Sequence, residues 1–145
     1  MERELIIEAC NRMYIYTDAQ DWESLAKVFT DEVDFDMTSL AGGEPSRMKK
    51  EDVCAAWKQG VTGMQAHHLT GNHLVTIRGD KADVFCYGTA THYLENATGR
   101  NSRAFHGTYD LKLDKVDGAW LISQFKYNSK FIDGYAELHT HLPSA

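Results

Sequence analysis

The sequence has no long apolar run. Its longest apolar stretches are a few residues, such as Leu5-Ile6-Ile7, whereas a membrane-spanning helix needs about 20. The opening residues Met1-Glu2-Arg3-Glu4 lack the apolar core of a secretory signal. Cysteine is scarce. Cys10, Cys54 and Cys86 are odd in number and widely spaced, which fits neither a disulfide framework nor a zinc motif. A reducing cytoplasm is the expected compartment. Positive charge is also short: 15 Lys and Arg stand against 21 Asp and Glu, a net charge of −6. Nucleic acid and anionic membrane are repelled on average, so neither is an expected partner. The basic cluster Arg47, Lys49 and Lys50 runs straight into Glu51-Asp52 and reads as a solvated helix start. No glycine-rich phosphate loop, nucleophile elbow or metal-binding helix motif is present. Neither a metal nor a cofactor is expected.

What is present fits one small globular domain. The chain has 145 residues, 43% of them hydrophobic and 25% charged. That is enough to bury roughly two-thirds of the unfolded surface in one core, and it disfavours disorder. A single domain over 1–145 is expected, with a tail over 134–145. The unusual component is seven histidines and sixteen aromatics in so short an acidic chain.

The pattern changes period midway. Ile6, Ala9, Cys10, Met13, Tyr14 and Thr17 share one face of a first helix. Asp21 caps a second helix expected over Trp22 to Phe29. Val33, Phe35 and Met37 alternate with Asp34 and Asp36, as in a strand. Gly42, Gly43 and Pro45 mark a loop. A third helix is expected from Lys50 to Val61. Strand-like runs follow over His67–Ile77, Lys81–Glu95, Arg103–Val116 and Ala119–Phe131, with Asp117-Gly118 as a hairpin signal. Helices first and an antiparallel meander afterwards predict an α+β fold with helices on one face of a sheet.

Strand parity sorts the candidate functional residues. His92 shares its face with Ala82, Val84, Cys86, Gly88 and Ala90. It either lines a cavity or is a core histidine bonded to a carbonyl. Phe85, Tyr87 and Tyr93 on the other face suggest that both sides of that strand are covered. Tyr109 shares a face with Phe105, Gly107 and Leu111, as core or as cavity wall, while His106 faces solvent or another subunit. Parity leaves His67 and His68 undecided, and a bulge near Gly71 would switch faces midway. Asp18 ends the first helix near Tyr14, at the negative end of the helix dipole. It reads as a solvated helix end or as the partner of a histidine, whose tautomer it would then set. His139 and His141 read as an exposed tail pair.

Taken in order, Tyr16-Thr17-Asp18-Ala19-Gln20-Asp21-Trp22, Phe29-Thr30-Asp31, His68-x-x-x-Asn72, Gly79-Asp80-Lys81-Ala82 and Asp117-Gly118-Ala119-Trp120 resemble the SnoaL-like branch of the nuclear transport factor 2-like superfamily. The scytalone dehydratases are the nearest in pattern. The resemblance spans about Glu4 to Phe131. It implies a cone-shaped half-barrel, a curved antiparallel sheet closed by three N-terminal helices. It implies that Asp18, His68 and His92 are catalytic, with His68 as base, and it favours His68 over His67. Tyr14, Thr17, Met37 and Tyr109 would bind substrate. Thr17 and Met37 replace two tyrosines that hold a water in scytalone dehydratase, and Gly107 and Tyr109 replace its pocket serine and asparagine. The implied activity is that of a cofactor-independent, dehydratase-like lyase. It would remove water or another β leaving group from a small hydrophobic or aromatic molecule. An isomerase working by the same proton abstraction, or a non-catalytic binding module, are the alternatives. The resemblance also implies a homodimer or homotrimer.

Overall fold

Local sequence places the helices. A computed structural model of the chain describes residues 1–142; the last three residues of the expected tail lie outside them. Helix α1 spans Glu2–Asp18, and its buried residues are the six of the expected apolar face. Helix α2 spans Trp22–Ala26, with Ser24 N donating to the Asp21 carboxylate at 3.2 Å. It ends earlier than its pattern suggested, because Phe29 opens strand β1 (Phe29–Asp36). Met37 is not in that strand. Instead Asp36 accepts from Thr38 N and Oγ1 at 3.0 and 2.7 Å, and the chain turns into a one-turn helix α3, Thr38–Ala41. A short strand β2 (Ser46–Lys49) follows the glycine loop. Helix α4 runs Lys50–Val61, as expected.

The second half forms β3 (Gln65–Arg78), β4 (Lys81–Tyr93), β5 (Ser102–Val116) and β6 (Ala119–Gly134). The six strands make one curved, open sheet in the order β2-β1-β6-β5-β4-β3. All pairs are antiparallel except β1 with β6. Helix α1 lies across β3 and β6, while α4 covers β1 and β2. A 3-10 turn, Leu138–His141, follows β6, and its Leu138 is fully buried. The main core lies between α1 and the inner face of the sheet, with Ile6, Met13, Leu25, Phe29, Leu111 and Ile122 almost wholly enclosed.

Bulges decide which side chains face inward. On β3, Gly71 pairs with Tyr87 and Leu74 with Phe85, so β3 carries one extra residue there. Asn72 takes a φ of +55° in this bulge, a left-handed conformation that Asn tolerates better than most residues. Ala66, His68 and Thr70 are therefore more enclosed before the bulge, and Val75 after it, whereas Leu69 and Leu74 are exposed. A second extra residue, Ser123, sits on β6 between the Leu113–Ile122 and Lys112–Gln124 pairs. It moves the buried positions from Trp120 and Ile122 to Phe125 and Tyr127.

The outer face is open in the single chain. Tyr87 and Tyr93 are exposed, Phe85 is half-buried, and His106 stacks on Phe131 with ring centroids 4.5 Å apart. No helix among the described residues is long and apolar enough to cross a membrane.

Candidate active site

The open end of the cone holds a cavity of about 300 Å³ beneath α1, α3 and α4. A larger depression of about 830 Å³ involves the outer face and rim of the sheet, among Asp34, Arg47, Asp83 and Lys112. It holds surface ion pairs such as Arg47–Asp34 at 3.0 Å, and no histidine lines it. The smaller cavity is the one that collects the chemistry.

Asp18 and His68 meet there. Asp18 Oδ1 lies 2.6 Å from His68 Nδ1, and its Oδ2 accepts the backbone N–H of His68 at 2.7 Å. The carboxylate thus grips the strand and the ring together, with side chains only 21% and 14% exposed. These contacts offset a negative charge at a helix C-terminus. A carboxylate only accepts, so Nδ1 carries the proton and Nε2 is left as the ring's acceptor. Tyr14 stacks on the imidazole at 5.5 Å. His67, one residue earlier, is exposed on the other face.

His92 lines the same cavity in an opposite electrostatic setting. His68 pairs with Ala90 across the ladder, so His92 is its diagonal neighbour, roughly 7–8 Å away along the backbone. Its Nδ1 accepts from Arg103 Nε at 3.1 Å. A guanidinium only donates, so the ring proton sits on Nε2. Burial first, then the charges of Arg103 and His68, pull the His92 pKa down from 6.5 to about 4, against a smaller opposing pull from Asp18. His92 is therefore a neutral hydrogen-bond donor at pH 7. It makes no hydrogen bond to His68 among the described residues.

The four expected binding residues all reach the cavity wall. Tyr14 is buried, and among the described residues its hydroxyl has no nitrogen or oxygen partner, only the Cys86 thiol nearby. Thr17 Oγ1 donates to Met13 O at 2.7 Å, so its proton is spent within the helix. Met37 reaches the wall from the turn after β1 rather than from the strand. Tyr109 crosses the cavity floor over Gly88, where an added Cβ would collide with its ring. Burial pushes the phenols of Tyr14 and Tyr109 well above their ordinary range.

Two polar wall residues, beside several apolar ones, did not emerge from the sequence. Arg103 shares strand parity with Phe105 and Tyr109, which was the available signal. Tyr127 is turned inward by the Ser123 bulge, which no local pattern announces. Its buried hydroxyl makes no well-formed hydrogen bond among the described residues, with Ser129 nearby, and it fits against Gly107 where any Cβ would crowd it. His139 is exposed, as expected, yet it reaches the site: its Nδ1 lies 2.9 Å from Arg103 Nη1. Among the described residues, no group of three or more His, Cys, Asp or Glu side chains is placed to hold a metal.

An open, curved sheet with helices across its mouth places the chain in the nuclear transport factor 2-like class of α+β cones. A family model described as a SnoaL-like domain matches residues 1–126, and the chain belongs to that family. Among solved structures it is similar to the Kfla4162 protein of Kribbella flavida, with 26% identity, 95% and 96% of the two chains covered and a TM-score of 0.89. It is also similar in fold to a candidate scytalone dehydratase from Novosphingobium aromaticivorans, with 18% identity, 99% and 91% coverage and a TM-score of 0.79. Hexachlorocyclohexane dehydrochlorinase LinA-type3 from Novosphingobium barchaimii shares the fold at 16% identity, 98% and 95% coverage and a TM-score of 0.75. No curated protein matches the sequence.

Proposed function

We propose that the chain is a cofactor-independent lyase of the dehydratase type, acting on a small hydrophobic or aromatic substrate. The observation that carries this reading is the Asp18–His68 pair, which presents an oriented imidazole to an apolar cavity. His68 Nε2 takes a proton from the carbon beside an electron-withdrawing group. The C–H electron pair becomes the new double bond, and the bond from the neighbouring carbon to its hydroxyl breaks. The proton held by His68 passes to the departing hydroxide, so that water leaves and the imidazole is restored. Asp18 orients the ring and stabilises its charged form.

His92 acts as a fixed donor rather than as a proton carrier. A buried imidazole beside a guanidinium resists taking up a second proton, so it stays neutral with its one proton on Nε2. Its Nε2–H instead holds the developing oxyanion or the departing oxygen, a role that preorganised donors fill well in a water-poor site. Tyr14, Tyr109 and Tyr127 supply further hydroxyls, and Thr17 and Met37 shape the wall.

The test is substitution of the base. His68→Gln is expected to lower turnover by roughly 10²–10⁴ with an unchanged thermal midpoint. Full activity in that variant overturns the assignment. An isomerase using the same base would release no water, so mass spectrometry of the product separates the two reactions.

We further infer a single domain in a reducing cytoplasm, supported by three free, buried cysteines. We also infer a homodimer or homotrimer. The apolar residues left exposed on the outer strands, Leu69, Leu74, Tyr87, Tyr93 and Phe131, support it. Light scattering on the purified chain tests that association.

A further inference from the structure

Arg103 is a buried cation without a counter-ion. It is 7% exposed. Its Nε donates to His92 Nδ1 at 3.1 Å, and its Nη1 to Ala136 O at 3.1 Å and His139 Nδ1 at 2.9 Å. Its guanidinium carbon lies 4.9 Å from the Phe105 ring centroid. Every one of these groups is uncharged where it touches the guanidinium. Among the described residues Arg103 has no ion pair, and its Nη2 makes no hydrogen bond. Glu137 acts on it only through space.

Enclosing a charge costs several kcal/mol unless an opposite charge offsets it. Here the fold holds the guanidinium in place with neutral acceptors, and only the through-space pull of Glu137 acts against its charge. Burial accordingly pulls the Arg103 pKa below its ordinary value. Among the described residues the wall of the cavity carries no Lys, no second Arg and no Asp or Glu, with Asp18 lying behind His68. The rest of the wall is mainly aromatic and aliphatic, including Trp57, Phe105 and Phe125. A chain with a net charge of −6 thus presents a buried guanidinium on the wall of an apolar cavity.

We propose that Arg103 is the anion-binding residue of this cavity, and that its ligand is a hydrophobic carboxylic acid bound as the carboxylate. The carboxylate accepts from Nη2, the one nitrogen of the guanidinium with no acceptor among the described residues, through a charge-assisted hydrogen bond. The apolar body of the acid lies against the aromatic wall. A cavity of about 300 Å³ has room for roughly ten water-sized groups, which suits a single ring bearing a short acid chain. The proposal names the substrate class of the site described above. It rests on that reading for the reaction, though not for binding.

The experiment compares cinnamate with the neutral isostere cinnamamide by calorimetry on the full chain at pH 7. Hydrogen bonds to charged groups contribute about 1.5–3 kcal/mol, so cinnamate is expected to bind at least about tenfold more tightly. In Arg103→Met that preference disappears, while the amide binds within about twofold of its wild-type affinity. By NMR, the Arg103 Nε–H resonance of the wild-type protein shifts on adding cinnamate and stays in place with cinnamamide. This readout needs no variant and decides the matter if Arg103→Met fails to fold. Equal binding of acid and amide, a preference that survives in a folded Arg103→Met, or no binding of cinnamate at all overturns the proposal. Loss of turnover in His68→Gln reads the base assignment, and loss of the acid-over-amide preference in Arg103→Met reads the anion site, so the two failures are separately visible.

Discussion

The two ends of the cavity hold the same side chain in opposite settings. His68 sits against a carboxylate, which takes its Nδ1–H and leaves Nε2 as an acceptor. His92 sits against a guanidinium, which occupies Nδ1 and leaves Nε2 as a donor. A residue type alone therefore says little about its chemistry. One neighbour leaves the imidazole an acceptor at Nε2, and burial together with the other leaves a neutral hydrogen-bond donor whose pKa is about 4. Carbon–hydrogen bond cleavage with a departing oxygen needs both kinds of group facing one substrate.

The difference is breakable. The largest expected effect is at the His68 end, where Asp18→Asn should reduce turnover by roughly 10²–10⁴. The Asn side chain keeps a similar shape but no longer enforces the tautomer. Nitrogen-15 NMR of the two rings checks the cause: wild-type His68 should carry its proton on Nδ1 and His92 on Nε2, and Asp18→Asn should blur only the first.

A smaller effect is expected at the shared wall. Gly88→Ala forces a methyl group into the Tyr109 ring. Such overpacking costs about 1–3 kcal/mol, read as a lowered denaturation midpoint, together with weaker ligand binding.

Protonation should separate the two ends next. The folded pKa of His92 is about 4, below the ordinary histidine value of 6.5. The unfolded chain therefore binds more protons between those values, and stability falls as the pH is lowered from about 6.5 towards about 4. Above that window His92 contributes no slope. Urea titrations at pH 7, 5.5 and 4.5 (points chosen across the window of about 4 to 6.5) should show a shallower decline in His92→Gln. An unchanged slope in that variant would mean that other groups carry the acid sensitivity.

The smallest effect is expected at Thr17, whose hydroxyl proton is already spent on Met13 O. Thr17→Val should cost about 0.5–1.5 kcal/mol of stability and change turnover little. A large loss of turnover would show that Thr17 touches substrate through its oxygen.

Much of this architecture was legible beforehand. The six apolar positions of α1 repeat every three or four residues, and they are the six that the structure buries. His92 and Tyr109 lie on strands whose parity holds without interruption through the relevant stretch, so both were placed by counting. His68 was harder, because the Asn72 bulge breaks the count, and only the family resemblance separated it from His67. β2 and α3 are too short for periodicity to mark them. Arg103 was overlooked although its parity pointed inward, since a charge on a buried face argues against its own burial until its acceptors are known. Those acceptors, Ala136 O and His139 Nδ1, come from more than thirty residues away.

The sequence by itself determined the class of fold, the inner face of α1 and the strand parity that carries His92 and Tyr109, because these depend on neighbours a few residues apart. The tertiary structure alone decided how each imidazole is protonated, where Tyr127 points and why Arg103 is enclosed. Each of those depends on a bulge or on a hydrogen bond between distant segments. Such pairings become visible only when the chain has closed.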